Sequence, residues 1–480
     1  MRKNHQAISL IFLLPALYWT SCKKFVGVDP PVMALTDNSV YASDATAIAV
    51  LTGIYINISS GLTSTAGTVT SLSLFPGLSA DELTLWNGNG NPQGNAYYLD
   101  NLEAGIQTGY GSEFWIAFYS YIYRCNSAIE GLNASSNLTP AVRQQLLGEA
   151  EFMRAFFYFY LVNLYGSVPL SLTTDYKINQ NLARSDTGKV YQQIVSDLQD
   201  AEAKLSPLFL DGTVLNPDPE RVRPTKWAAA ALLARVYLYQ GNWAGAEAQA
   251  DTVIGQPGLF QLSSLDTVFL RAGLGNKEAI WQLQPVNTNV NTEDALAFIL
   301  PYGGPGSGNN YGAFLSAGLL ASFEPNDGRR MTWVDSSEFA GQLYYYPYKY
   351  KVDSIGLPVT EFQMILRLGE QFLIRAEARA QQGNVPGAWQ DLNTIRTRAN
   401  LGPSPQPDIL AAIGHERQIE LFTEMGQRWL DLKRTGQVNA VMEVATPLKG
   451  GSWNSYQQLY PVAQGDIQDD QQLTQNAGYQ

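Results

Sequence analysis

Histidine is almost missing from this chain: two residues in 480, His5 and His415. So few cannot build a multi-histidine metal centre, and His415, inside GHERQIELF, reads as a helix-surface residue. Cysteine is as scarce, Cys22 and Cys125, so no disulfide framework exists. Cys125, between Tyr123-Arg124 and Asn126, reads as a small helix residue. Basic residues are in deficit, 31 Lys and Arg against 43 Asp and Glu for a net charge of -12, and they form no cluster. A chain of that balance does not hold phosphate backbones, which excludes nucleic acid as a partner. No strong nucleophile elbow, metal motif or phosphate loop stands out; GNGNPQG (88–94) reads as loop glycines without a strand before or a helix after. No cofactor is implied.

The N-terminus carries an address. Arg2 and Lys3 precede the apolar stretch Ala7 to Trp19, which is too short for a mature membrane span and fits a signal-peptide core. Thr20 and Ser21 lead into Cys22 in a pattern that resembles a bacterial lipobox, where the cysteine is acylated and becomes the first residue. Trp19 stands where Leu is usual; a secreted protein with a chance cysteine is the alternative. Loss of 1–21 removes Arg2, Lys3 and His5, so the charge falls from -12 by two and His415 is the one histidine left. Cys22 opens an anchor segment, 22–36, whose FVGVDPPVMALT reaches about 40 Å when extended. The remainder exceeds the about 250–300 residues of a usual single core, so two packed lobes are expected, 37–225 and 226–480.

The most informative stretch is GEAEFMRAFFYFYLVNLYGSVPL, 148–170. Phe152, Phe156, Phe159 and Tyr160 recur at helical spacing, and Met153, Phe157, Leu161 and Leu164 fill the flanks. A helix apolar round most of its circumference must be buried. Gly166 can cap it in a left-handed conformation, and Pro169 prevents a restart.

Repeats define the scaffold. ARVYLYQGNWAGAEAQADTVI (234–254) and AEARAQQGNVPGAWQDLNTIR (376–396) align without gaps, sharing Ala234/Ala376, Gly241-Asn242/Gly383-Asn384, Gly245/Gly387 and Ala246/Ala388. Helix, tight Gly-Asn turn, helix, with alanines where the pair meets: this is the tetratricopeptide pattern. Helix 148–165 with 190–205 reads as another unit and 409–432 as the last. Their separation argues for a helical scaffold carrying long insertions rather than a solenoid. The insertions, 60–110 and 285–313, are rich in Gly, Ser, Thr and Asn and read as binding loops. Strands are expected at 279–284 and in QLYYYPYKYKV, whose alternating Tyr344, Tyr346, Tyr348 and Tyr350 suit a half-buried strand.

Near the C-terminus, ERQIELFTEMGQRWLDLKRTG (416–436) interleaves carboxylates with arginines. Glu424 with Arg428 and Arg417 with Glu420 are spaced for ion pairs, with Asp431 and Arg434 a turn further on. Arginines would hold those carboxyls ionised, unsuited to the proton donation a glycosidase needs.

The aromatic helix closely resembles a hallmark of the RagB/SusD family. LRLGEQFLIRAEARAQQGN (366–384), the 416–436 segment, FEPNDGRR (323–330) and the terminal LYPVAQGDIQDDQQLTQNAGY are similar to its other landmarks, in the same order, although Ala477 stands where Pro is commoner. The resemblance implies a mostly α fold, a tetratricopeptide-like scaffold with long inserted loop-rich segments and a little β. It also implies a function without chemistry: a lipoprotein on the outer face of the outer membrane that captures an oligo- or polysaccharide, or another oligomer, and delivers it to a SusC-like TonB-dependent transporter. An envelope tetratricopeptide adaptor and a glycoside hydrolase are the competing readings.

Sugar rings stack C–H faces on aromatic planes and need amides at their edges. Trp86 with Asn87 and Asn89, Tyr97 with Tyr98, and Tyr302 with Asn309, Asn310 and Tyr311 supply that mixture in the loops, against the alternative that each ring only pins its loop. Trp115, Trp227, Trp243, Trp389 and Trp429 fall in helical motifs and are expected in the core. Starch, xylan, β-glucan or peptide would each suit such a surface.

Overall fold

The computed structural model describes residues 40–60, 67–86, 90–105, 109–287, 289–306 and 312–479. Cys22, the signal segment and the tether lie outside them. The fold is mostly helical and is organised around the aromatic helix, which runs Pro140–Tyr165, two turns longer than its apolar core because Pro140 occupies its first turn. It ends where the sequence places the stop: Gly166 has φ 76° and returns its N–H to the Val162 carbonyl at 3.0 Å. Phe152, Phe156, Phe159 and Tyr160 are each at most 1% exposed.

Apart from the short helices Tyr176–Asn179, Ala317–Ser322, Gly328–Thr332 and Gln464–Asp469, the helices in chain order are α1 (Asp44–Ser59), α2 (Val69–Ser79), α3 (Pro92–Tyr98), α4 (Glu113–Ala134), the aromatic α5, α6 (Thr187–Lys204), α7 (Lys226–Tyr239) and α8 (Trp243–Ile254). They continue with α9 (Glu293–Phe298), α10 (Leu368–Gln381), α11 (Val385–Arg398), α12 (Ile409–Glu420), α13 (Gln427–Arg434) and α14 (Val438–Lys449). Helices α5 and α6 pair through the buried Arg154–Asp197 bridge at 2.7 Å.

The two aligned repeats are α7–α8 and α10–α11, and each shared residue has a structural reason. Gly241 and Gly383 turn the chain at φ 70° and 83°. Asn242 and Asn384 then cap the second helix, accepting from the N–H of Gly245 and Gly387, both at 3.1 Å. A Cβ on either of those glycines would stand 2.6 Å from the capping amide nitrogen. Ala234, Ala246, Ala376 and Ala388 are fully buried, and Ala234, Ala246 and Ala250 share one apolar cluster with Ile374 and Ala378. The repeats therefore stack directly, and the residues between them loop out. One continuous apolar cluster runs from Tyr41 to Leu473, with two smaller ones within the repeats. The terminal segment returns to the aromatic helix, with Tyr460 N–H on the Leu164 carbonyl at 2.8 Å and Asn476 Nδ2 on that of Tyr165 at 3.0 Å.

The strands are short; besides the two-residue pair Val168–Pro169 and Arg184–Ser185 they are β1 (Leu83–Leu85), β2 (Ala279–Leu283), β3 (Ala313–Leu315), β4 (Val334–Phe339), β5 (Gln342–Pro347) and β6 (Gln363–Arg367). They pair antiparallel as β1 with β3, β2 with β6, and β4 with β5. The tyrosine-rich strand stops at Pro347, so Tyr348 and Tyr350 lie beyond it; Tyr346 and Tyr350 are buried and Tyr344 and Tyr348 half-buried, so the four tyrosines do not share one buried strand face.

Composition misleads at 60–110, where α2 is a fully buried helix despite its Ser, Thr, Gly and Pro. A reciprocal Thr68–Ser71 capping box starts it. Its buried hydroxyls then find tertiary partners: Ser73 Oγ accepts from Met425 N–H at 3.1 Å, and Ser79 meets the Tyr460 hydroxyl at 3.1 Å. GNGNPQG also has neighbours the composition hides, β1 before it and α3 after. Yet β1 is antiparallel to β3 and Asn91 takes the Gly94 N–H at 2.8 Å, which is loop-and-cap geometry.

Of the local ion pairs expected within 416–436, Asp431–Arg434 forms at 2.6 Å, while Glu424–Arg428 and Arg417–Glu420 do not, because the helix breaks at 421–426, where Thr423, Met425 and Gly426 have positive φ. Arg417 instead holds Asp431 at 2.7 Å, and Arg428 holds Asp81 at 2.7 Å. Glu424 binds Arg367 at 2.7 Å and Lys349 at 2.5 Å; Glu420 is shared by Arg329, Arg367 and Arg398. Within FEPNDGRR, Arg329 is 1% exposed and bonds Asp327, Glu416 and Glu420. The landmarks at 323–330, 366–384 and 416–436 thus share one buried ionic network tying the insertion to the repeats.

Candidate loop-borne binding surface

Two loops far apart in sequence are joined by backbone pairing. β1 and β3 place Leu85 opposite Ala313, and the next bond of the ladder is Trp86 N–H to the Gly312 carbonyl at 2.9 Å. Trp86 and Gly312 are thereby held side by side.

The hairpin β4–β5 forms the third wall. Its turn, Ala340-Gly341, has φ 53° and 81°, the two positive values of a tight two-residue hairpin. Cross-strand pairing puts Phe339, Ser337 and Tyr344 on one face, turned toward the loops. There Ser337 Oγ donates to the Pro301 carbonyl at 2.7 Å and accepts from Gly304 N–H at 3.2 Å. Phe339 meets Trp86 edge to face, with centroids 6.3 Å apart and planes at 90°, and Tyr344 meets Phe314 the same way at 5.1 Å. The glycines of PYGGPG now have a reason. A Cβ on Gly304 would stand 2.5 Å from that of Phe339, and one on Gly306 2.5 Å from the indole ring of Trp86.

Trp86 is therefore half-buried, one edge pinned on glycine backbone. Phe339 is 43% exposed and Tyr302 fully so. Tyr98 is half-buried, with Lys449 Nζ 5.5 Å from its ring centroid and its hydroxyl on Thr84; burial raises its pKa against that bond. Tyr97 corrects the sequence reading. It lies on α3 and is fully buried, stacked on Phe75 at 4.5 Å with its hydroxyl donating to Glu113 at 2.7 Å, because the helix turns consecutive tyrosines to different sides. Asn87, Asn89, Asn309, Asn310 and Tyr311 lie outside the described residues. Phe339 and Phe314 were not singled out by sequence; Gly341 after SSEF is the turn signal that could have drawn attention to the hairpin.

Of the helical tryptophans expected in the core, Trp115, Trp227 and Trp429 are at most 7% exposed, whereas Trp243 and Trp389 are only half-buried. Cys125 is buried on α4, and burial pushes its thiol up to about 12. His415 lies on α12, partly exposed, 3.9 Å from Glu324. Among the described residues no group of three or more His, Cys, Asp or Glu could hold a metal, and no helix is long and apolar enough to cross a membrane. Burial alone would raise Glu420, but Arg398, Arg367 and Arg329 outweigh it and hold its carboxyl well below the ordinary range. Asp431 is brought to about 2 by Arg417 and Arg434 against the same desolvation.

A helical-repeat scaffold whose insertions converge on an aromatic, loop-built surface is the architecture of a binding protein. Residues 79–238 match the family model described as starch-binding associating with outer membrane, and 335–479 match the SusD family model. The chain belongs to the SusD/RagB family. It is 24% identical over 519 residues to the SusD-like protein P25 of Formosa agariphila, covering 96% of this chain and 94% of that one. Its fold matches the surface glycan-binding protein A of Bacteroides uniformis with a TM-score of 0.75 at 20% identity, over 90% of this chain and 99% of that one. It also matches a laminarin-binding SusD-like protein with a TM-score of 0.72 at 22% identity, over 91% and 99%.

Proposed function

We propose that this protein binds a glycan at the cell surface through the Trp86–Tyr302–Phe339 loop face, performs no catalysis, and hands its ligand to a SusC-like TonB-dependent transporter. Cys22, lipidated, anchors it to the outer membrane. The observation that carries the reading is the β1–β3 pairing, which brings two loops together and sets exposed aromatic edges beside the β4–β5 hairpin tip. Relatives of the same fold are named for binding laminarin and surface glycans. Against hydrolysis stands the state of the C-terminal carboxyls: Glu420, Glu424 and Asp431 are held ionised by arginines and cannot serve as proton donors.

The test is isothermal titration of the lipid-free chain with laminarin, starch, xylan and other polysaccharides, with assay for new reducing ends. Binding without cleavage is expected. Cleavage, or no binding to any member of a broad panel, would defeat the reading. For delivery, mild detergent extraction should recover the chain together with a TonB-dependent protein.

A further inference from the structure

Charge is spread unevenly along this chain. It is 15% charged, yet no Asp, Glu, Lys, Arg or His occurs between Glu82 and Asp100 or between Asp294 and Glu324, the two stretches that carry β1, β3 and the loops beside them. Burial explains part of the gap, since Ala295, Ala297, Phe298, Ile299 and Leu300 lie in the core. It does not explain Gly90, Pro92, Tyr302 and Gly306, which are exposed, where charged side chains ordinarily lie. The third wall carries charge of one sign: the charged residues of the β4–β5 hairpin are Asp335 and Glu338. Strand alternation puts Asp335 on the face of Ser337 and Phe339, where it takes a hydrogen bond from Tyr346.

Cations that touch the surrounding tyrosines are engaged elsewhere. Arg330 lies 4.6 Å from the Tyr345 ring centroid, on the hairpin face opposite Phe339. The side chain of Lys449, beside Tyr98, is 7% exposed, and its Nζ donates to the Leu78 and Ser79 carbonyls at 2.8 and 2.9 Å. Lys351, over the Tyr348 ring, donates to the carbonyls of Thr332 and Tyr348. A carboxylate or sulfate laid against Trp86 and Phe339 would lose water and gain no opposite charge, a penalty far larger than that of a hydroxyl. The net charge of -12 repels a polyanion before contact. We propose that the loop face is selective for uncharged glycans and rejects chains bearing uronate or sulfate, the charge-free loops being the selecting element. The proposal rests on the reading that this face binds glycan and names the class it takes.

The experiment is isothermal titration of the lipid-free mature chain with laminarin, starch and mixed-linkage β-glucan, and with polygalacturonate, alginate and a sulfated galactan. An uncharged glycan should bind, weaken in Trp86→Ala, and exceed every acidic one by at least about tenfold. The same glycan with its primary hydroxyls oxidised to carboxylates should lose at least about tenfold. Gln342→Arg, at the exposed position opposite Phe339, gives the face a guanidinium and should raise affinity for an acidic glycan roughly threefold to tenfold while its melting curve stays native. An acidic glycan bound through Trp86 as tightly as the uncharged ones, or no gain for any acidic glycan in Gln342→Arg, would overturn the selectivity and leave the face a glycan site. An uncharged glycan whose affinity neither Trp86→Ala nor Phe339→Ala alters, or no binding of either class, would overturn the selectivity and the loop-face reading together.

Discussion

Arg235 and Glu370, 135 residues apart, meet in a bidentate pair with both N–O distances 2.7 Å and neither side chain more than 2% exposed. The pair joins α7 to α10, the first helices of the two aligned repeats. Glu370 keeps Arg235 charged against the desolvation of its buried site.

Breaking that pair strands a charge in the core. Glu370→Ala should cost about 3–5 kcal/mol in urea unfolding, whereas Arg235→Met with Glu370→Leu should recover most of it by removing both charges together. A single variant costing less than about 1 kcal/mol would show that water reaches the site.

The loop aromatics and the helical tryptophans should separate by phenotype. Trp86→Ala and Phe339→Ala should each remove about 1–3 kcal/mol of glycan binding while melting close to the native chain, since loop rings add little to the helical core. Trp115→Ala deletes a ring that is 1% exposed and whose indole N–H reaches Asp466 at 2.8 Å; it should cost about 3–5 kcal/mol of stability. A large fall in melting temperature for Trp86→Ala, with affinity retained, would make that ring a loop pin only.

Glu82, just before β1, gives a pH signature. Desolvation by burial, then the charge of Asp81, lift its carboxyl to about 8, despite the Thr423 N–H it accepts at 3.2 Å and the cations Arg428 and Lys349. The folded state therefore binds a proton that the unfolded chain has released above about 4.5. Its contribution to stability is full below about 4.5 and falls as pH rises toward 8, with a slope of up to about 1.4 kcal/mol per pH unit. Glu82→Gln, which keeps the acceptor, should flatten the stability profile between those limits and gain most at pH 8. Parallel profiles for the two proteins would rule out a buried neutral carboxyl.

The anchor is tested at Cys22. The native chain should partition into detergent and sediment with outer membranes, since several acyl chains hold a membrane where one does not. Cys22→Ala should appear as soluble protein, and its retention under high-salt washing would exclude the lipobox.

Patterns that depend on neighbouring residues were legible in the sequence. The aromatic helix and its stop at Gly166, both aligned repeats with their Gly-Asn turns, and the strand at 279–283 all follow from periodicity and backbone chemistry acting within a few residues. The buried helix at Val69–Ser79 was not legible, because its hydroxyls are satisfied by Met425 and Tyr460 from the far end of the chain. Nor was the burial of Tyr97, which depends on Phe75 and Tyr460 closing over it.

The same division governs the ionic network and the loop face. Sequence determined that the carboxylates of 416–436 would be matched by arginines, since charges of both signs alternate there; which arginine meets which carboxylate was decided by the break at Thr423–Gly426, which lets Arg417 reach Asp431 across it and leaves Glu420 to Arg367. Trp86 and the glycines of 301–306 could be marked as loop residues from composition alone. That they touch, with Phe339 closing the third side, was decided by the β1–β3 ladder, because backbone hydrogen bonds between distant segments carry no local sequence signal.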